Sequence, residues 1–286
     1  MGNYSQRTMM SFPLAGHTPL GYEDYARERV CSGFPGIRKT KGDYAARLVG
    51  SYLEYALSHD FAAQGVSVRK PHVLKRWLRA YAAATATDAG YTEILDAATA
   101  GDADKPAKGT TLTYREALER LWLIDELPPW TEGMDMFSRL KRTPRHHLAD
   151  PALACSLLGI TLDDLLLGRV ESVFDSKAGG IAGRLFESLV QQSVRIYADA
   201  CQAKTGHLRT QNGDHEVDII VQKGQRVLAF EVKLAPTVSA EDVKHLLWLK
   251  NKMGEKLIDM AVITSGASCY RRQDGVGVIP AAMLCA

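Results

Sequence analysis

A chain of 286 residues, 46% hydrophobic and 24% charged, has the make-up of a globular protein long enough for two or three compact domains. Its 35 Lys and Arg against 33 Asp and Glu leave a formal charge of +2, which excludes any argument for nucleic-acid binding from net charge alone; that function would need its basic groups on one face. Five scattered cysteines without a C-x-x-C pair speak for a reducing compartment and against a disulfide framework or structural zinc. The first residues lack the pattern of a signal peptide, and no apolar run reaches the roughly 18 residues of a membrane span, so a cytoplasmic protein with no membrane partner is expected.

Residues 1–20 read as irregular or partly extended. A helical pattern begins at Tyr22 and breaks around Gly33, Pro35 and Gly36. Asp43–Ser58 carries Ala45, Leu48, Val49, Tyr52 and Ala56 at helical spacing, and further helices are predicted over 72–86, 91–99 and 113–123, with a loop at 101–110. The double proline of LIDELPPW ends any helix. This order predicts a winged-helix-like module, with the basic stretch 138–150 as wing and exit. Beyond Asp150 the pattern gives a helix over 181–200, three short strands, another helix, an apolar strand at 258–263 and a hairpin at Asp274-Gly275. The expected fold class is α+β or α/β, with a helical and winged-helix-like region over 1–150 and an α/β domain over 151–286.

The chemistry gathers in His215–Leu234, HEVDIIVQKGQRVLAFEVKL. A two-residue turn at Gly224-Gln225, glycine first, suits type II′ and sets Lys223 opposite Arg226, Val221 opposite Leu228, Ile219 opposite Phe230 and Asp218 opposite Glu231. The side-chain period of two then puts Val217, Ile219, Val221, Leu228, Phe230 and Val232 on one apolar face, read as the core. Asp218, Ile220, Val227, Ala229, Glu231 and Lys233 share the other. Opposed carboxylates repel, and a divalent cation between them turns repulsion into attraction; Mg²⁺ or Mn²⁺ prefers such oxygens. Lys233 would stand beside the ion, orienting water or stabilising charge on a phosphate. The main-chain carbonyl of Val232 is a further candidate ligand. The plainer alternative is a solvated polar strand face. Glu187, at the edge of the apolar stripe of Leu185, Phe186, Leu189, Val190 and Tyr197, is either a further metal ligand or a solvated flank.

Arg139, Lys141, Arg142 and Arg145 form the densest basic run, read either as a phosphate-contacting wing or as a solvated loop. Adjacent His146 and His147 point to opposite faces of a strand, so no metal is expected there. Ser239 with Asp242 reads as a capping box. Trp77, Trp122 and Trp130 read as core, and His245 and Trp248 as core or rim, with the lining of a nucleic-acid groove as the alternative. Residues Gly33–Thr40, GFPGIRKT, fail as a phosphate-binding loop because Arg38 stands where a glycine is needed, so no ATP site and no ATPase activity are expected of this chain.

The motifs G-R-L-F-E, E-V-D and E-V-K, in that order, resemble the PD-(D/E)xK nuclease superfamily. More narrowly, SGFPGI (32–37), LERLWLIDELPPW (118–130) and HHLADPALACSLLG (146–159), with Asp150 at the aspartate, resemble the C-terminal region of unknown function in bacterial and archaeal AAA-type ATP-binding proteins. The resemblance covers most of the chain. It implies a restriction-endonuclease-like domain with a mixed central sheet, and sets Glu187, Asp218, Glu231 and Lys233 on the nuclease motif positions. Two functions follow as expectations: a nucleic-acid-associated, metal-dependent phosphodiester hydrolase, or a non-catalytic regulatory module that meets an ATPase or other protein partner.

Overall fold

The computed structural model describes residues 20–40, 43–66, 68, 70–99, 106–130, 140, 143–170 and 180–284. The chain forms two compact units. One comprises Glu23–Pro128 and Thr143–Gln192; the other comprises Met1–Tyr22, Pro129–Arg142 and Ser193–Ala286. It is a mixed α+β protein, a helical N-terminal region followed by a six-stranded mixed sheet.

The helical unit contains α1 (Tyr22–Cys31), α2 (Pro35–Arg38), α3 (Asp43–Tyr55), α4 (Phe61–Ala63), α5 (Pro71–Ala83), α6 (Tyr91–Ala98), α7 (Lys108–Arg120), α8 (Pro151–Leu158), α9 (Leu162–Leu166) and the first part of α10 (Ile181–Ala200). A π-turn at Ala56–Asp60 joins α3 to α4. Trp77, Leu78, Ile94, Leu118 and Leu153 interlock in its core, the apolar stripes that helical periodicity predicts. Arg29 is fully buried, donating from Nε to the Tyr25 carbonyl at 2.9 Å and from Nη1 to the Ala182 carbonyl at 2.7 Å. After α7 the chain turns back as a short ribbon, with antiparallel bridges Ile124–Leu148 and Leu127–Arg145.

That turn corrects one expectation. Trp122 is not core; it is 77% exposed. Its φ of +56° is left-handed, and this reversal at the end of α7 sends Leu123 into the core while throwing the indole outward. Trp77 and Trp130 are buried as expected.

The sheet unit has β1 (Lys204–Arg209), β2 (Glu216–Lys223), β3 (Arg226–Lys233), β4 (Leu257–Thr264), β5 (Tyr270–Arg271) and β6 (Gly277–Pro280) in the order β1-β2-β3-β4-β6-β5. The pairs β1–β2, β2–β3 and β5–β6 are antiparallel; β3–β4 and β4–β6 are parallel. The hairpin register is the predicted one from Ile219–Phe230 to Lys223–Arg226, and Gly224 has the φ of +58° that the first position of a type II′ turn needs. A capping pair, Ser239 with Asp242, opens a short 3₁₀ turn that leads into α11 (Lys244–Met253).

The assignment of one apolar and one polar face to the hairpin does not hold. Ile220, Val227 and Ala229, from the face carrying the acids, pack with Leu246 and Leu249 of α11, Met260 and Val262 of β4 and Val278 of β6. Ile219, Val221 and Val232 on the opposite face are also buried, whereas Leu228 and Phe230 are only half-buried. The parallel strands β3, β4 and β6 make the centre of the sheet, where both faces are covered.

Candidate functional site

The acids lie at one end of the α11-covered face. The backbone pairing of β2 with β3 extends to Ile219–Phe230; beyond it, Asp218 Oδ2 accepts the Val232 N–H at 2.8 Å. Asp218 is 7% and Glu231 3% exposed, so both carboxylates are held away from bulk water. The parallel register then sets Glu231 beside Val262 and Lys233 beside the buried Thr264. Lys233 Nζ lies 3.6 Å from Glu231 Oε2, with about a third of its side chain exposed. The lysine is therefore the group of this set that reaches the surface.

Two histidines close the same end. Mutual bonds between Thr210 and His215, N–H to carbonyl at 2.9 Å and N–H to Oγ1 at 3.0 Å, hold His215 at the head of β2. Its ring stacks on Trp248 of α11 with centroids 4.0 Å apart and planes within 10°. His245, three residues earlier on that helix, approaches edge-on, with Nδ1 3.4 Å from Nδ1 of His215. One ring must donate and the other accept, so at least one is neutral. Burial, then the charges of Lys244, His215 and Lys233, push the His245 pKa below its ordinary value, while Asp218 acts to raise it. In the sequence alone His215 has no assigned role, and His245 reads as packing or as the lining of a nucleic-acid groove. His215 stands three residues before Asp218, but its stacking partner lies on α11, a juxtaposition that only the fold makes.

The donor set fits a hard divalent cation in a minimal way. Mg²⁺ is commonly held by one or two carboxylates with water and substrate phosphate completing the shell, and Asp218 and Glu231 are two such carboxylates. Among the described residues no group of three or more His, Cys, Asp or Glu is arranged to hold a metal. Glu187 belongs to the helical unit, where its carboxylate is paired with Arg145. Arg145 is itself buried and committed to that pair, so its guanidinium is not displayed to solvent. Arg139, Lys141 and Arg142 lie outside the described residues. His146 and His147 are both buried; His146 bonds through Nε2 to the Ala89 carbonyl at 2.7 Å and faces Glu126 with Nδ1 at 3.4 Å.

Among the described residues no helix is long and apolar enough to cross a membrane. No curated protein and no solved structure matches the chain. Residues 182–284 match the model of the family described as Domain of unknown function (DUF4143), and residues 22–164 match that of Domain of unknown function (DUF8612). The second match takes in half of the chain and the whole of α1 to α8, and on that ground the chain belongs to the DUF8612 family.

Proposed function

We propose that the sheet unit carries a metal-dependent phosphodiester-hydrolysing site of the PD-(D/E)xK nuclease type, in a restriction-endonuclease-like domain that acts on nucleic acid. One observation carries this reading: two buried carboxylates, Asp218 and Glu231, at the same end of neighbouring strands, with Lys233 rising beside them to the surface. Buried like charges are costly unless something compensates them, and clefts with such groups are candidate functional sites. Asp218 and Glu231 would hold Mg²⁺ or Mn²⁺, which supplies a Lewis acid for the phosphate and makes a bound water more acidic. Lys233 holds positive charge where a phosphate oxygen gains negative charge. His245, whose pKa is lowered by burial and by the charges of Lys244, His215 and Lys233, would take up a proton at the edge of the site.

The ribbon after α6 and α7 supports a winged-helix reading of that segment, as the motif order supports descent from the C-terminal region of AAA-type ATP-binding proteins. An ATPase supplied by another chain and a cytoplasmic setting belong to the same reading.

A second reading is favoured by the Lys233–Glu231 ion pair: a lysine that neutralises its own acid needs no metal, which suits a non-catalytic module that docks a protein partner. Cleavage of labelled single- and double-stranded DNA and RNA with Mg²⁺ or Mn²⁺ separates the two. Metal-dependent cleavage lost in Glu231→Gln and Lys233→Met, both folded by thermal melt, supports the first. No cleavage of any substrate by the folded parent chain supports the second.

A further inference from the structure

His215, at the head of β2, and His245, in the first turn of α11, stand with their Nδ1 atoms 3.4 Å apart. As a hydrogen bond that contact is long, since N–H···O bonds in proteins run at about 2.7–3.2 Å. As the bite of a metal ion it has the right length. Two nitrogens each about 2.0–2.1 Å from one tetrahedral Zn²⁺ stand about 3.4 Å from each other. Both rings are half-buried and so keep part of their surface in water.

The first ring is held before any ion arrives. Thr210 ties the His215 backbone at its N–H and its carbonyl, and the ring lies flat on Trp248 at 4.0 Å. Trp248 follows His245 by three residues, so one face of α11 presents both the support of the first ring and the second nitrogen. The His245 ring meets that of His215 at 86°, and the χ2 torsion that aims it is soft, so a small turn brings both lone pairs to one point.

A metal ion takes imidazole in its neutral form, which the lowered pKa of His245 favours. Lys244 and Lys233 act on His245 and would oppose a further cation, but each is paired with an acid, Lys244 with Glu241 and Lys233 with Glu231 at 3.6 Å. Asp218 acts in the opposite sense and favours positive charge there. Imidazole nitrogen suits Zn²⁺, Co²⁺ and Ni²⁺, whereas Mg²⁺ takes oxygen. Among the described residues the pair gains no third His, Cys, Asp or Glu, which leaves the remaining positions to water.

We propose that His215 and His245 form a binding site for a transition-metal dication of the Zn²⁺ class, held by the two Nδ1 atoms and fastening the head of β2 to α11. The site uses nitrogen where the carboxylate pair uses oxygen, and it does not rest on the phosphodiester reading. When filled, it occupies Nδ1 of His245 and takes that ring out of proton transfer.

Titration of the untagged full chain with Co²⁺ and with Zn²⁺, followed by calorimetry and by tryptophan fluorescence, tests it. One ion per chain is expected to bind with a dissociation constant on the order of 1–100 µM. Co²⁺ should quench part of the tryptophan emission through the His215–Trp248 stack; Zn²⁺ should displace it, and millimolar Mg²⁺ should not. His245→Gln and His215→Gln, each checked for folding by thermal melt, should each weaken binding by about tenfold or more, and either alone carries the test if the other does not fold. Glu231→Gln should bind both ions as the parent does, so a failure of the carboxylate-site reading leaves this result intact. Three outcomes overturn the proposal: no saturable binding of Co²⁺ or Zn²⁺ at millimolar concentration, unaltered binding in a folded histidine variant, or binding that Glu231→Gln abolishes and His245→Gln keeps.

Discussion

The Ser32 hydroxyl donates to Asp150 Oδ2 at 3.0 Å across 118 residues of sequence. The same oxygen accepts the Gly33 N–H at 2.7 Å, while Oδ1 accepts the Ala152 N–H at 2.8 Å and so caps α8. One buried carboxylate therefore joins the break between α1 and α2 to the start of α8. Ser32 bears a left-handed φ of +64°, a conformation unusual for a non-glycine residue that these bonds help to hold.

Removing that carboxylate should be costly. Asp150→Ala deletes a helix cap and leaves the Ser32 hydroxyl and Gly33 N–H without their acceptor, a loss of about 3 kcal/mol. Urea unfolding of the helical signal checks it; a loss below about 0.5 kcal/mol would show that water replaces the carboxylate freely.

Glu126 makes acid stability a local property. Burial alone would raise its carboxyl, but hydrogen bonds from His146, Tyr91 and Tyr81 and the charge of His146 more than offset this and leave it below the ordinary value. A depressed carboxyl stabilises the fold above the unfolded-state pKa of about 4.3 and ceases to do so as pH falls through the lower folded value. Glu126→Gln should cost about 1–3 kcal/mol at pH 7, and its deficit should shrink below pH 4. An equal deficit at both pH values would contradict the linkage.

Gly266 has no room for a side chain. A Cβ there would stand 2.4 Å from the Pro236 carbonyl oxygen, where the segment after β4 crosses the segment after β3. Gly266→Ala should force these segments apart beside Lys233, lowering the melting temperature by several degrees, a cost of about 1–3 kcal/mol. An unchanged melt would mean that the loop after β3 yields without cost.

The thiols should react in order of exposure. Cys201 is exposed, whereas Cys155 is buried among α8 and its neighbours and its thiol is pushed up to about 12 by that burial. Alkylation read by peptide mass mapping should modify Cys201 in the native protein and Cys155 only after denaturation. Native labelling of Cys155 would reveal local opening of α8.

The hairpin was legible because two short-range rules agree: glycine at the head of a two-residue turn, and a side-chain period of two, which together put Asp218 and Glu231 at one end. The burial of both its faces was not, since Ile220, Val227 and Ala229 share a face with Asp218, Glu231 and Lys233 and owe their cover to β4 and α11, elements remote in sequence. Arg145 belongs to a run that reads as a solvated basic loop until Glu187, 42 residues later, is brought against it. Trp122 falls on an apolar spacing that periodicity counts as core; a single left-handed residue after α7 reverses its direction, and periodicity carries no information about that.

The outward indole of Trp122 also gives the molecule an optical handle. Trp77 and Trp130 are enclosed and Trp248 is covered by the His215 ring, which leaves Trp122 as the emitter most open to water and to a dissolved quencher such as iodide. The red edge of the fluorescence spectrum is thus a local signal from the turn after α7, and a partner seated on that turn would move it toward the blue without any label being added.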